Sequence, residues 1–253
     1  MSDTKPVALV TGGTGGVGRA VCEGLARQGF SVAFTYRNNT EKATETERVL
    51  TGLGSSPLCG NPDFSEPGEA DAFVEEVVGA RGRLDAVVHA SGPYVDQRFV
   101  STITTDRFRH HVEQELLAFF ELVRATLPYL RETGGSLTAV STMALRRYPA
   151  RDALSSVPKG GIEALVKAVA LEEGRYGVRA NAVGPGVLAD GMGVGLAATG
   201  DVPPEMRARV EQQIPLRRLG LGAEVAAMVC FLASDAASYV TGQTIDVDGG
   251  YGI

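Results

Sequence analysis

A run of glycines, Thr11-Gly12-Gly13-Thr14-Gly15-Gly16-Val17-Gly18, is the stretch of this chain most plainly shaped for chemistry. Glycines let a backbone approach a pyrophosphate closely, and a helix that begins in such a run aims free N–H groups at the phosphate charge. A glycine string alone would be weak ground. Here it follows the apolar stretch Val7–Val10 and precedes a helical pattern from Arg19 in which Ala20, Val21 and Leu25 recur, with Gly29 where a C-terminal cap belongs. That context predicts a dinucleotide site rather than a glycine-rich hairpin. Other chemistry is thinner. Cys22, Cys59 and Cys230 are odd in number, far apart and without metal-ligand spacing, so they are expected to be buried thiols. His110 and His111 suggest no metal set, and no metal is expected.

Positioning such a site takes a particular scaffold. Apolar runs of strand length, Val7–Val10, Ser31–Tyr36, Leu84–His89, Leu137–Val140, Val178–Val183 and Thr244–Val247, alternate with amphipathic helical stretches. The rhythm predicts an α/β fold, a Rossmann-like doubly wound parallel sheet with helices on both faces. One long helix is expected over 106–130 and another over 158–174. Their broad apolar stripes, with Leu116, Phe119, Phe120 and Val123 on the first and Ile162, Leu165 and Val169 on the second, predict a helix-to-helix subunit interface. From Gly186 to about Pro215 the rhythm breaks into scattered glycines and prolines, and a mobile substrate lid is expected over about 187–215.

The chain has 253 residues, 44% hydrophobic and 21% charged, with no linker-like stretch, so a single domain over 1–253 is expected. No apolar run approaches the roughly 18 residues of a membrane span. Met1-Ser2-Asp3-Thr4-Lys5 runs straight into the first strand, leaving no room for a targeting segment, and a cytoplasmic location without membrane partners is expected. A net charge of −6 argues against nucleic acid as a general partner. The pairs Arg146-Arg147 and Arg217-Arg218 read as solvated surface, with a specific anionic partner as the alternative.

Several motifs then fall in one order: Thr11-Gly-x-x-x-Gly16-x-Gly18, Asp63 after the third strand region, His89-Ala90-Ser91-Gly92 after the fourth, Lys159, Asn181-x-Val183-x-Pro185-Gly186, and a tail from Ser238 to Gly250. Together they resemble the short-chain dehydrogenase/reductase family over nearly the whole chain, and the 3-oxoacyl carrier-protein reductases within it. The resemblance implies a nicotinamide cofactor across the C-terminal edge of the strands. It places Gly12, Thr14, Gly16, Val17 and Gly18 at the pyrophosphate, Asp63, Ala90, Ser91 and Gly92 along the cofactor, and Lys159, Pro185, Gly186 and Leu188 at its nicotinamide end. The second strand ends in Tyr36-Arg37-Asn38, without the carboxylate that would hold adenosine ribose hydroxyls. Arg37, with Arg19 as a second candidate, suits a 2′-phosphate instead, so NADP(H) is the expected cofactor.

The family's catalytic pattern is a Ser, Tyr and Lys assisted by an Asn. Its Lys lies four residues after the Tyr and lowers the phenol pKa, so that the Tyr protonates a carbonyl oxygen as hydride reaches the carbon. Four residues before Lys159 stands Ser155, and thirteen further back stands Thr142, beside Ser141. The Asn position falls on Glu115 or Gln114. The resemblance thus implies Lys159 unchanged, a mild change at Thr142, a severe one at Ser155 and an anion at Glu115 that would pair with Lys159 or raise its own pKa if dry. Asp190 stands where a Thr is frequent. Pro158 is expected to delay the helix and leave Ser155 on a loop. Tyr148 and Tyr94 are candidate substitute acids whose default is surface or packing, and His89 reads as a buried strand-end residue before a base. A Ser155–Lys159 acyl-transfer dyad is a further option.

The leading expectation is a divergent NADPH-dependent reductase of an acyl or polyketide-like carbonyl, free or carrier-bound, working as a homodimer or homotetramer. In it Lys159 organises protons, Thr142 or Ser141 orients the carbonyl, and Tyr148, water or the substrate supplies the proton. Second stands a catalytically silent NADPH- or ligand-binding subunit that pairs with an active homologue. Third stands a cyclase or dehydratase using Glu115 or Asp152.

Overall fold

Val7–Thr11 is buried at every position, the pattern of a strand covered on both faces, and it forms β1. The computed structural model describes residues 5–190 and 204–253. After β1 come β2 (Ser31–Thr35), β3 (Leu58–Gly60), β4 (Ala86–His89), β5 (Ser136–Val140), β6 (Arg179–Pro185) and β7 (Thr244–Val247). They make one seven-stranded sheet in the order β3-β2-β1-β4-β5-β6-β7, parallel throughout. The chain winds outward from β1 to β3, then returns to start again at β4. Between β1 and β4 the winding reverses, and a parallel sheet opens a crevice at the C-terminal ends of its strands there. Thr11 pairs with His89 at that edge.

Eight described helices cover the sheet: α1 (Gly16–Arg27), α2 (Thr40–Gly52), α3 (Glu69–Arg81), α4 (Thr105–His111), α5 (Ala118–Thr133), α6 (Ala153–Glu173), α7 (Pro204–Gln213) and α8 (Gly222–Ala233). Alternation along each strand sends side chains to opposite faces. Val7 and Leu9 join Phe73, Phe119, Leu122 and Ile162 of α3, α5 and α6 in one core. Ala8 and Val10 join Val21, Leu25 and Val229 of α1 and α8 in the other. The expected doubly wound α/β architecture is what the chain adopts.

The structure corrects several boundaries. The helix expected over 158–174 begins at Ala153, so Ser155 sits on its first turn and not on a loop. The Asp152 carbonyl accepts the N–H groups of Ser155 and Ser156 at 3.0 and 2.9 Å and the Ser156 hydroxyl at 2.9 Å, while Ala153 and Leu154 are buried. Those bonds and that burial start the helix a turn upstream, and Pro158 forgoes only one backbone bond inside it. The helix expected over 106–130 is three pieces, α4, a π-helical turn at Val112–Leu117, and α5. β3, only three half-buried residues long, carries too short an apolar run to stand out in the sequence. Gly29, at φ 92°, does close α1, its N–H donating to the Ala26 carbonyl.

Cys22 and Cys230 are buried as expected, but Cys59 is half-buried. Arg146 is no solvated surface residue either, because Glu163 and Asp246 both pair with it. Of the expected lid, 191–203 lies outside the described residues, and the part from Pro204 to Gln213 is helical. No described helix is long and apolar enough to cross a membrane.

Candidate active site

The glycine run forms the turn from β1 into α1. Gly12 has φ 69°, and a side-chain carbon there would lie 2.8 Å from the Ala90 carbonyl oxygen; one on Gly18 would collide with the Gly12 carbonyl. Only glycine fits both places. Gly15 caps α1 without a side-chain bond, and no acidic residue stands in the first turn. The first N–H groups of α1 therefore face outward without an acceptor from a capping side chain, an arrangement that receives a phosphate. Thr14, Gly16 and Val17 line the same turn, and Gly12 N–H is tied to Thr35 Oγ1 of β2 at 3.2 Å.

Thr11 joins this turn to the end of β4. Its Oγ1 accepts the N–H groups of Ala90 and Ser91 at 3.1 and 3.2 Å, meets the Ser91 hydroxyl at 2.9 Å, and lies 3.2 Å from His89 Nδ1. The hydroxyl thus fixes the 90–92 backbone. His89 is buried, its ring 4.9 Å from that of Phe119, and burial first, then the Lys159 charge, lowers its pKa to about 3. A neutral imidazole locked between a threonine and a phenyl ring is structural, in keeping with the strand-end reading.

Lys159, on α6, extends its ammonium to Glu115 Oε1 at 2.7 Å and to the Val140 carbonyl of β5 at 3.1 Å. The side chains are 17% and 4% exposed, so this is a buried ion pair. The π turn brings Glu115 there. An extra residue per turn rotates the helix face locally, and such bulges are frequent at functional sites. Of the two residues considered for this place, Glu115 faces Lys159, whereas Gln114 turns to Ser65 Oγ at 2.6 Å and to Asp63. Gly92 closes the other side; a side-chain carbon there would stand 2.5 Å from Glu115 Oε2.

Ser155 lies one turn before Lys159 on the same helix face, half-buried. Beside it Asp152 bonds the Ser156 hydroxyl. Burial raises the Asp152 carboxyl above its ordinary pKa, against the opposing pull of Ser156 and Lys159. Thr142 caps the short turn Met143–Leu145, accepting Ala144 N–H at 3.1 Å, which leaves its own proton free to offer. Ser141 is not brought into this group. It is buried and donates to Glu163 Oε1 at 2.6 Å, within the cluster of Arg146 and Asp246. Sequence reading passed over that cluster, although Glu163 stands one turn after Lys159. Tyr148 is 57% exposed on the loop before α6, and Tyr94 is 51% exposed.

Arg37 is exposed at the end of β2, and its charge contributes to lowering the Asp63 pKa, after the dominant bond from Ser65. Arg19 is engaged by Glu23 at 3.2 Å and Glu45 at 3.7 Å. At the opposite end, Pro185 pairs with Val247, Gly186 N–H donates to the Val247 carbonyl, and Leu188 bridges Gly220. Asp190 accepts Gly222 N–H at 2.9 Å and so caps α8. No grouping of metal ligands occurs among the described residues.

A doubly wound parallel sheet with a glycine turn at its switch point and a buried lysine at its carboxyl edge defines a dinucleotide-fold class. The comparisons narrow it. Residues 12–252 match the family model described as enoyl-(acyl carrier protein) reductase. The chain is 31% identical over 244 residues to the 3-oxoacyl-[acyl-carrier-protein] reductase FabG of Staphylococcus aureus, covering 96% of each, and 32% identical to the uncharacterized oxidoreductase YgfF of Escherichia coli, covering 96% and 99%. Levodione reductase superposes with a TM-score of 0.92 at 28% identity, over 98% of each chain. A variant of actinorhodin polyketide ketoreductase with NADPH does so at 0.91 and 27%, over 98% and 97%. This chain belongs to the short-chain dehydrogenase/reductase family and is an oxidoreductase of its ketoreductase type.

Proposed function

We propose that this protein is an NADPH-dependent reductase of a carbonyl on an acyl or polyketide-like substrate, with an altered proton-delivery set in which Ser155 stands where the family's phenol would. The observation that carries the reading is the Lys159 ammonium, buried between Glu115 and the Val140 carbonyl at the carboxyl edge beside the glycine turn. Gly12, Thr14, Gly16, Val17, Gly18 and the α1 N-terminus suit the pyrophosphate, Arg37 the 2′-phosphate, Asp63 and the 90–92 backbone the adenosine side, and Pro185, Gly186 and Leu188 the nicotinamide side. The fit is direct: the turn is backbone-lined, and the exposed Arg37 side chain makes no ion pair among the described residues. When bound, the nicotinamide supplies the hydride.

The chain's own groups handle the oxygen and the proton. Thr142 donates a hydrogen bond to the substrate carbonyl oxygen. Ser155, an aliphatic alcohol, is far too weak an acid to act alone. Asp152 on the same turn, its carboxyl raised above its ordinary pKa by burial, is the group we assign to relay a proton from water toward that oxygen. Lys159, fixed by Glu115, holds ribose hydroxyls and its charge at the site. The exposed apolar residues Phe120 on α5 and Val157 and Leu171 on α6 support assembly through those helices.

The test is fluorescence titration with NADPH, followed by NADPH consumption on a panel of 3-oxoacyl thioesters and quinones. Binding, turnover and a loss of about 10²–10⁴-fold in kcat for Asp152→Asn at unchanged NADPH affinity are expected. Binding without any turnover would favour a silent subunit. Product formation without NADPH loss would favour a cyclase or dehydratase.

A further inference from the structure

Outside the lysine site, the loop before α6 has a conformation its sequence does not favour. Arg151 has φ 71°, a left-handed backbone that residues with a side chain seldom adopt. The contacts around it hold it there. Its carbonyl accepts Arg98 N–H at 3.1 Å, and its guanidinium lies over the Phe99 ring, 4.6 Å from the centroid. The result is a charge presented at the junction of two open grooves, of about 490 and 420 Å³, both lined by Phe99 and Arg151. The larger continues along Val100, Tyr148 and Pro149 to Asp152.

Neighbouring charges show what is missing. Arg98 and Arg107 both pair with Asp96, Arg109 with Asp106, and Arg146 with Glu163 and Asp246. Arg147 is spent on Gln213, the Tyr251 carbonyl and the Tyr251 ring. Arg151 alone in this group has no carboxylate and no hydrogen-bond acceptor for its guanidinium among the described residues. In a chain with 30 acidic and 24 basic side chains, a guanidinium stacked on an aromatic floor at a left-handed backbone position, with no carboxylate beside it among the described residues, has the chemistry to receive an anion.

We propose that Arg151 binds an anionic oxygen group, carboxylate or phosphate, at the far end of an elongated substrate whose apolar body lies along Phe99, Val100 and Tyr148. Arg151 directly precedes Asp152 and stands about two turns of helix before Lys159, which puts an anion held at Arg151 and a carbonyl held between Asp152 and Lys159 within the span of one elongated substrate. The proposal deepens the reductase reading and rests on it for the place of the reacting carbonyl. The anion belongs either to the substrate itself or to a phosphate on a carrier arm.

Calorimetric titrations of the purified protein, with and without NADPH, distinguish these. Octanoate is compared with octanamide, and 4′-phosphopantetheine with pantetheine. The charged member of at least one pair is expected to bind about tenfold or more tighter. A preference for octanoate assigns the anion to the substrate, and a preference for the phosphate assigns it to a carrier. Arg151→Gln should abolish the preference and leave NADPH affinity unchanged. Arg151→Gly, which suits the left-handed backbone and so guards against misfolding, should do the same. Equal affinities within both pairs, or a preference that survives both substitutions in folded protein, overturns the proposal. Failure to bind NADPH would instead strike the reductase reading, since the paired affinities are read independently of it.

Discussion

Glu115 and Lys159 are the pair on which the site's electrostatics turn. Each charge is withdrawn from water and answered by the other, with the Val140 carbonyl taking a further ammonium proton. Removing one member leaves a buried charge unanswered, which costs more than the pair contributes net. Glu115→Ala is therefore expected to destabilise the protein by about 3–5 kcal/mol in urea unfolding, and Glu115→Gln, which keeps an acceptor oxygen, by clearly less. A loss under about 1 kcal/mol for Glu115→Ala would show that water already screens the pair. The importance of Glu115 was partly legible: its position in the helix suggested it or Gln114. One side chain of rotation decided between them, and that rotation comes from a π turn that hydrophobic periodicity does not reveal.

At the scale of elements, α6 is tied to its surroundings at both ends. Its first turn rests on Asp152, and its last turn is held by Arg131 of α5, which forks onto Glu173 at 2.6 and 2.8 Å. The Arg131 hydrogen bonds, ahead of the opposing burial, hold the Glu173 carboxyl below its ordinary 4.5. A depressed carboxyl contributes stability that is complete above the unfolded-state value and fades as pH falls below it. Stability is thus expected to decline below about pH 4.5. Glu173→Gln should make that decline shallower in acid-unfolding curves followed by circular dichroism, while lowering stability at neutral pH. An unaltered acid limb would mean that the α5–α6 clasp does not contribute. The Pro158 signal misled about this helix because proline's preference for a first turn is weak beside three bonds to one carbonyl and two buried side chains.

Over the whole molecule, the two cores leave apolar side chains on the outer faces of the helices. Phe120 is 45% and Leu171 86% exposed. Leaving such side chains in water forgoes about 1.5–3 kcal/mol each when fully counted, and association recovers part of it. Light scattering is expected to find an oligomer, and Phe120→Glu should shift it toward monomer without changing the circular dichroism spectrum. A wild-type protein that stays monomeric at micromolar concentration would remove the assembly proposal.

The parallel sheet, its winding, the glycine turn and the family were readable in the one-dimensional chain, since each follows from local spacing: two-residue alternation, helical repeats, and glycines at fixed intervals between a strand and a helix. Folding settled matters that depend on distance through space. It turned Glu115 and not Gln114 to Lys159, drew Ser141 away to Glu163, left Tyr148 at the surface, and set Arg151 over Phe99 without a counter-charge among the described residues. These are contacts between segments tens of residues apart, fixed by which helix face meets which strand, and local spacing carries no record of such meetings.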